Sequence, residues 1–413
     1  MIVVLCCTVA LVMVVVDVGH TNFGTVLSLS CSTVAFVAMA CNQFIATRPP
    51  GIDEAFGGLD KAYRVHRFLG VLVGTLLLTH YLDTPNFRGL VITQEVDRFA
   101  RLCGNIAFFG LLALISVSWV KRLWRNPFEI PYEWWRRLHR STGAFFVIAA
   151  IHQTFVKRPF EASAAIAVYL EFFALLGVSS FVYTQLFARF RKRSYVVRSV
   201  DRRESATVVE AAPLARPIRP APGQFAFLSV DKAGLREPHP FTISGASGDG
   251  SLTFAIKPVG DFTRRLRNNL APGDRLLIEG AYGRFGAHKG GNGQLWLAGG
   301  IGVTPFLAMA KSVGALRHRV HMIQVVRAAS EAIGTEIFNR TAAERSNFSY
   351  SLFISSQDGR FDATKLLALS RVDLAEADLL FCGPIQMRTD ITRDLIRLGK
   401  RPRQVLYEQF EFR

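Results

Sequence analysis

The sequence predicts a multi-domain membrane protein: a six-helix transmembrane bundle, then an antiparallel β-barrel, then an α/β domain with a parallel sheet. Three observations predict it. Residues 1 to about 188 fall into long apolar blocks, and residues 191–290 read as short β-branched strands divided by glycine turns. From residue 295 onward, buried strands alternate with amphipathic helices. At 413 residues the chain has room for two to three domains of about 100–200 residues each. The expected boundaries are 1–190, 191–290 and 291–413.

The apolar blocks lie near 1–18, 25–46, 64–82, 102–121, 136–156 and 166–188, each approaching the roughly 20 residues that a spanning helix needs. The first lacks a basic flank and a small-residue cleavage site, so it reads as a retained helix. A net charge of +17 would suit nucleic acid, but many of the lysines and arginines flank the apolar blocks, where lipid headgroups would meet them. The expected partner is a lipid membrane, not nucleic acid, and no obligatory protein partner is evident. The six cysteines show no CxxC spacing and imply neither a disulfide framework nor a cysteine metal site.

Basic charge between the blocks sets the expected orientation. Lys121, Arg122, Arg125, Arg136 and Arg137 crowd the fourth connection, Arg48 and Lys61 lie in the second, and Arg189, Arg191, Lys192 and Arg193 follow the sixth. The first connection has no lysine or arginine, although Arg88, Arg98, Lys157 and Arg158 reduce the contrast. By the positive-inside rule the chain is multi-pass in the inner (plasma) membrane, with both termini and the water-soluble half cytoplasmic. Blocks three and five then run in the same direction.

Those two blocks each carry two histidines, His66 with His80 and His139 with His152. Fourteen residues of helix advance about 21 Å and return to within about 40° of the same face. The thirteen-residue step to His152 leaves an ideal helix about 140° off, so a bulge, a bend or an approach from another side is expected. Four imidazoles in two layers, His66 with His139 and His80 with His152, are what two stacked bis-histidine haems require. A single histidine at a helix end is more often a capping or interfacial residue, and His20, which has no partner at its depth, stays in that class. The separation along each helix rules out one zinc shell made from all four.

Three motifs in the second half carry chemistry. HPFTIS at 239–244 sets an aromatic ring and the hydroxyls of Thr242 and Ser244 on one strand, suited to a flat flavin ring. VGDFT at 259–263 turns into a helix whose amides, with Thr263, suit a pyrophosphate. LAGGIGVTPF at 297–306 is a strand, a glycine turn and a helix start, where missing side chains let backbone amides approach a dinucleotide. FCGP follows the fourth buried strand at 381–384.

With these motifs in this order, the chain resembles the NADPH oxidase and ferric reductase superfamily over essentially its whole length, and its second half is similar to ferredoxin–NADP reductase. The resemblance implies two b-type haems on His66, His80, His139 and His152. It implies FAD against His239, Pro240, Phe241, Thr242, Lys257 and Thr263, with Ser244 on the same strand. A nicotinamide nucleotide is implied at Gly299, Gly300, Gly302, Thr304, Pro305, Cys382, Gly383 and Pro384. Glu408, Gln409 and Phe410 resemble the family's terminal Glu-x-Phe, whose ring covers the flavin until nicotinamide displaces it. The chain continues past Phe410, so Phe412 is a second candidate, and packing of the last strand is a plainer role for Phe410. Arg327 and Arg360 resemble arginines that grip a 2′-phosphate and so favour NADPH. Glu331 and Glu336 lie close by in the sequence and leave NADH as the alternative.

NADPH delivers two electrons as hydride and haem accepts one at a time, so a flavin has to sit between them. The expected route runs from hydride transfer near Thr304 and Cys382, through FAD and the two haems, to an external one-electron acceptor. Oxygen giving superoxide is placed first and a ferric chelate second, with a quinone or a periplasmic redox partner also open. Oxygen-reducing relatives carry a further histidine and an arginine at the outer site. Here Thr84 stands at the first position, and residues 25–45 contain no arginine. The alternative from another class is a haem-binding membrane scaffold or sensor that is not an enzyme.

Overall fold

The computed structural model describes residues 2–49, 51–83, 95–123, 132–156, 163–286, 292–316 and 318–408. Phe410 and Phe412, with Thr84, Arg88, Arg125, Lys157 and Arg158, lie outside the described residues. The chain divides into two compact units, Met1–Phe56 with Lys61–Arg189 and Gly57–Asp60 with Phe190–Arg413.

The first unit is helical: α1 (Ile2–Val18), α2 (Phe23–Ala46), α3 (Ile52–Phe56), α4 (Leu59–Leu82), α5 (Glu95–Leu123), α6 (Tyr132–Arg140), α7 (Thr142–Phe155) and α8 (Ala164–Leu186). Asn22 starts α2 by accepting a hydrogen bond from the Thr25 amide at 2.9 Å, a cap that contributes about 1 kcal/mol. Among the described residues, four helices are long and apolar enough to cross a membrane: Phe23–Ala46, Leu59–Leu82, Glu95–Trp119 and Ala164–Leu186. Helix α1 has 17 residues, about 26 Å of rise, which is short of a roughly 30 Å hydrocarbon core.

The fifth expected span is interrupted at Ser141, between α6 and α7. The Thr142 hydroxyl donates to the His139 carbonyl at 2.7 Å, so a side chain competes for a group that a continuous helix would use. This break lies between His139 and His152, where ideal helical spacing does not align them. Large apolar side chains such as Phe68, Phe109, Val168 and Leu175 are exposed. Such surface is costly in water and ordinary against lipid. Helix α5 packs on α7, and α2 packs on α1 and α8.

The second unit opens with β1 (Arg193–Arg202), β2 (Thr207–Pro213), β3 (Phe225–Val230), β4 (His239–Ala246), β5 (Leu252–Ile256), α9 (Asp261–Asn269) and β6 (Arg275–Tyr282). The six strands close into an antiparallel barrel in the order β1-β2-β5-β4-β3-β6. Its core includes Tyr195, Val209, Leu228, Phe254, Leu276 and Ile278. Alternation of inward apolar and outward polar residues is what closes it.

There follow β7 (Gly293–Gly299), α10 (Thr304–Ala310), β8 (Arg319–Val326), α11 (Thr335–Glu344), β9 (Phe348–Ile354), α12 (Ser355–Asp358), α13 (Ala363–Leu369), β10 (Ala377–Cys382), α14 (Ile385–Arg397) and β11 (Gln404–Glu408). These five strands form a parallel sheet in the order β11-β10-β7-β8-β9. Trp296, Met322 and Leu380 pack on one face, and Leu297, Ile323 and Phe381 on the other. Burial on both faces is why these strands read as unbroken apolar runs. The chain runs outward through β8 and β9, then returns to the other side of β7 with β10. The carboxyl ends of β7 and β10 therefore flank the topological switch point, where ligands bind in such sheets.

Candidate functional site

The flavin motif occupies β4, with His239, Pro240 and Phe241 half-buried and Thr242 and Ser244 buried. The Ser244 hydroxyl donates to the Thr253 carbonyl at 3.0 Å and is structural in this arrangement. The Thr242 hydroxyl is buried and has no hydrogen-bond partner among the described residues. A buried hydroxyl in that state costs about 1–3 kcal/mol, and a polar ring edge laid along the strand would satisfy it. Phe262 of α9 stacks on His239 with centroids 3.9 Å apart and lies 6.3 Å from Phe241. Thr263 does not stand free for a phosphate, because its hydroxyl oxygen accepts from the Gly260 amide at 2.9 Å. Lys257 follows β5 and is half-buried.

Helix α10 packs against β4 and brings the glycine turn to the flavin strand. Gly300 has φ +56°, and a Cβ there would meet nothing within 4 Å, so this backbone is open to a ligand. Gly302 meets a packing need of the protein itself. A Cβ on it would lie 2.1 Å from the Cys382 carbonyl oxygen, so its missing side chain lets two loops of the protein touch. A Cβ on Gly383 would lie 2.9 Å from the Gly299 amide, and one on Gly299 would lie 2.8 Å from Pro384. Thr304 is buried, and its hydroxyl donates to the Ile301 carbonyl at 3.1 Å. Pro305 sits in the first turn of α10, where its missing N–H costs nothing.

Cys382 ends β10 in register with Glu408 of β11, and both are buried. Burial pushes the Cys382 thiol well above its ordinary range and the Glu408 carboxyl up to about 8. Both groups therefore keep their protons at neutral pH. Arg327 follows β8 and is exposed, whereas Arg360 is paired with Asp390 at 2.5 Å.

In the helical unit the four histidines fall on α4, α6 and α7. The His66 and His139 ring centroids are 6.1 Å apart with planes at 69°. His80 Nδ1 lies 3.1 Å from the Ser28 carbonyl and 2.9 Å from the Ser28 hydroxyl. His152 Nδ1 lies 2.8 Å from the Ala100 carbonyl. His139 Nδ1 lies 3.3 Å from the Ser118 hydroxyl and stacks on Trp135. In these three rings the proton belongs on Nδ1, which leaves the Nε2 lone pair for another partner.

Sequence reasoning missed Ser28, Ala100, Gly104 and Ser118. A Cβ on Gly104 would lie 2.7 Å from His152 Nδ1, so this glycine makes room for the ring. The only sequence signal was a glycine inside an apolar block. Gly104→Leu should force His152 out of place and, if His152 holds a haem, lower haem occupancy by about 10- to 100-fold, as loss of a ligand's supporting shell does. Haem absorbance per protein unchanged from wild type would refute this.

Family models match two stretches of the chain. Residues 31–150 match the ferric reductase like transmembrane component, a stretch that holds His66, His80 and His139 and ends two residues before His152. Residues 208–286 match an FAD-binding domain. The toluate 1,2-dioxygenase electron transfer component of Pseudomonas putida is 27% identical over 197 residues, covering 46% of this chain and 58% of that protein. A flavohemoprotein of Pseudomonas putida is 25% identical over 202 residues, covering 47% and 52%. The chain thus spans little more than half the length of these relatives. Among solved structures, the flavohem-like FAD/NAD binding domain of nitric oxide dioxygenase from Vibrio cholerae aligns with TM-score 0.46 and 21% identity, over 52% of this chain and 97% of that one. A ferredoxin NADP+ reductase from Neisseria gonorrhoeae aligns with TM-score 0.45 and 17% identity, over 53% and 98%. The chain thus matches a ferric reductase like transmembrane component followed by an FAD-binding domain, the module order of the NADPH oxidase and ferric reductase architecture, and is an oxidoreductase.

Proposed function

We propose that the protein moves electrons across a membrane, from cytoplasmic NADPH through FAD and two b-type haems to an external one-electron acceptor. The observation that carries the reading is the geometry of the histidines. With metal–imidazole bonds of about 2.0–2.1 Å and each ring centre roughly 1.1 Å behind its nitrogen, two axial imidazoles on one iron place their centres about 6.3 Å apart. The His66–His139 spacing of 6.1 Å fits this. Carbonyl acceptors on the Nδ1 atoms of His80 and His152 are the supporting contacts that metal-bound histidines use. Helix α4 packs less closely on its neighbours than α5 does on α7, in keeping with a ring system between helices. We also propose six spans, with α1 and the α6–α7 pair completing the four longer helices, and domain limits at 1–190, 191–290 and 291–413.

Bound haem and flavin would supply one-electron and hydride chemistry. The chain's own residues hold and orient them. His66 with His139, and His80 with His152, would supply the axial nitrogens. Thr242 would hydrogen-bond the flavin edge, and the open backbone at Gly300 would receive the nucleotide. Cys382 and Glu408, neutral and buried, exclude water and charge from the place where nicotinamide would meet the flavin. A relative named as an electron transfer component supports a role in electron transfer.

NADPH is placed ahead of NADH because Arg327 is exposed just beyond the carboxyl end of β8, the strand next to β7. Arg327→Ala should raise the KM for NADPH about 10- to 100-fold, the worth of charge-assisted bonds of about 1.5–3 kcal/mol, and leave NADH nearly unaffected. Equal losses with both nucleotides would remove this basis for the preference.

For the acceptor, oxygen is placed first and a ferric chelate second. Purified protein in liposomes, given NADPH under air, should reduce cytochrome c in a superoxide-dismutase-sensitive manner. Turnover that requires ferric chelate and yields no superoxide would reverse that order. Failure to oxidise NADPH or to reduce its own haems would leave the scaffold or sensor alternative.

A further inference from the structure

Beyond the flavin and nucleotide motifs, the outer edge of the parallel sheet carries a cleft of about 360 Å³, lined by Arg388, Thr389, Thr392 and Arg393 of α14 and by Val405 and Tyr407 of β11. Strand β11 is the edge strand, so the cleft lies outside the pair β7 and β10 that flanks the switch point. Alternate residues of a strand share a face, which sets Val405 and Tyr407 side by side. The Arg388 guanidinium lies over the Tyr407 ring, 3.6 Å from its centroid, and the ring steadies it from one side. Arg388 Nη1 is buried and has no hydrogen-bond partner among the described residues. Arg393 is differently placed, because Asp390 and Asp394 hold its guanidinium at 3.0 and 3.1 Å. The Thr389 and Thr392 hydroxyls donate within their own helix, to the Gln386 carbonyl at 3.0 Å and the Arg388 carbonyl at 2.7 Å. Each can turn its proton toward a ligand.

We propose that this cleft binds a small oxyanion, through a phosphate or carboxylate group, with Arg388 as its charged anchor. A guanidinium nitrogen taken out of water without an acceptor is unfavourable, and an oxyanion offers a planar guanidinium acceptors in matching geometry. The cleft has room for about twelve water volumes, so the ligand can carry a small organic body beside Val405. This site is separate from the expected grip on a 2′-phosphate. Arg360 pairs with Asp390, and two residues of helix turn about 200°, so Asp390 and Arg388 leave α14 on nearly opposite sides. Both elements of the cleft also reach the switch point, since α14 starts after Pro384 and β11 ends at Glu408. An occupant held by both would brace the strand that sets Glu408 beside Cys382.

The test is thermal unfolding of the full-length, FAD-loaded protein in detergent, followed by flavin release, with NADP+ saturating so that the nucleotide site is already filled. Inorganic phosphate and acetate are titrated separately, with chloride holding the ionic strength constant. A ligand that binds only the folded state stabilises it, so at about five times its Kd one of the two anions should raise the midpoint by about 2–4 °C. The anion that acts at the lower concentration identifies the group as phosphate or carboxylate. Arg388→Gln should abolish this shift and keep the stabilisation by NADP+. Thr392→Glu sets a carboxylate four residues from Arg388, on the same face of α14. It should raise the midpoint with no anion added and remove the response to anion. No saturable shift in wild type, or a full shift in Arg388→Gln, overturns the proposal. Should Arg388→Gln not fold, a full response to anion in Thr392→Glu overturns it instead.

Discussion

Replacing His152 with leucine should leave a protein that holds one haem in place of two and no longer delivers electrons to the external acceptor. The ring is held from two sides, by the Ala100 carbonyl at 2.8 Å and by the space that Gly104 leaves for it. Leucine keeps the volume and apolar character, so α7 should still pack on α5. It supplies no lone pair, and haem iron without its axial nitrogen loses its bond to the helix. Acceptor reduction should fall by at least about 100-fold, while anaerobic reduction of the flavin by NADPH keeps its wild-type rate. The two rates separate because flavin and nucleotide contacts lie in the other unit. Haem content and stopped-flow flavin absorbance check both halves of the expectation. Two full haems per chain in the variant would refute the pairing of His80 with His152.

Gly302→Val should nearly abolish hydride transfer from NADPH to FAD without releasing the flavin. A Cβ at residue 302 would lie 2.1 Å from the Cys382 carbonyl oxygen, 2.5 Å from its carbon and 2.9 Å from the Gly383 amide. All three are backbone atoms, so neither loop yields by turning a side chain. The strand ends of β7 and β10 must part, and a displacement of about 1 Å at a reacting centre is enough to cost about 100-fold in rate. Gly300→Ala is the informative companion. Its Cβ meets nothing within 4 Å, but its φ of +56° strains an alanine, at about 1–2 kcal/mol. That variant should lose stability modestly, and because its Cβ enters the space open to the nucleotide, its KM for NADPH should rise. FAD absorbance should survive in both, since Thr242, His239 and Phe241 belong to the barrel. A Gly302→Val enzyme with wild-type flavin reduction would show that contact between the two loops does not position the nucleotide.

Much of the fold is legible because its signals are local. Six barrel strands and four of the five sheet strands fall where the β-branched and apolar runs predict them. The fifth, β11, is short, and only its pairing with β10 makes it a strand. Four apolar blocks became long helices, but the fifth is interrupted at Ser141, where the Thr142 hydroxyl bonds the His139 carbonyl. Hydropathy has no term for that competition.

The sequence by itself determined the order of the modules, the spacing of the histidines along the chain, and the order of the flavin and nucleotide motifs. Helical rise and strand alternation are properties of neighbouring residues, so a single chain states them in full. Only the tertiary structure decided what the histidines and glycines touch. Ser28 and Ala100 each stand 52 residues before the histidine they hold, and neither residue type announces a ligand's support, since in both cases a backbone carbonyl does the holding. Gly302 reads in the sequence as a contact for a dinucleotide, and only the fold shows that it also admits the backbone of Cys382. Glu408 was legible only as the start of a Glu-x-Phe motif, and it is burial beside Cys382 that keeps it protonated. Each of these depends on which elements pack together, and packing brings into contact atoms whose distance in the chain carries no periodic signal.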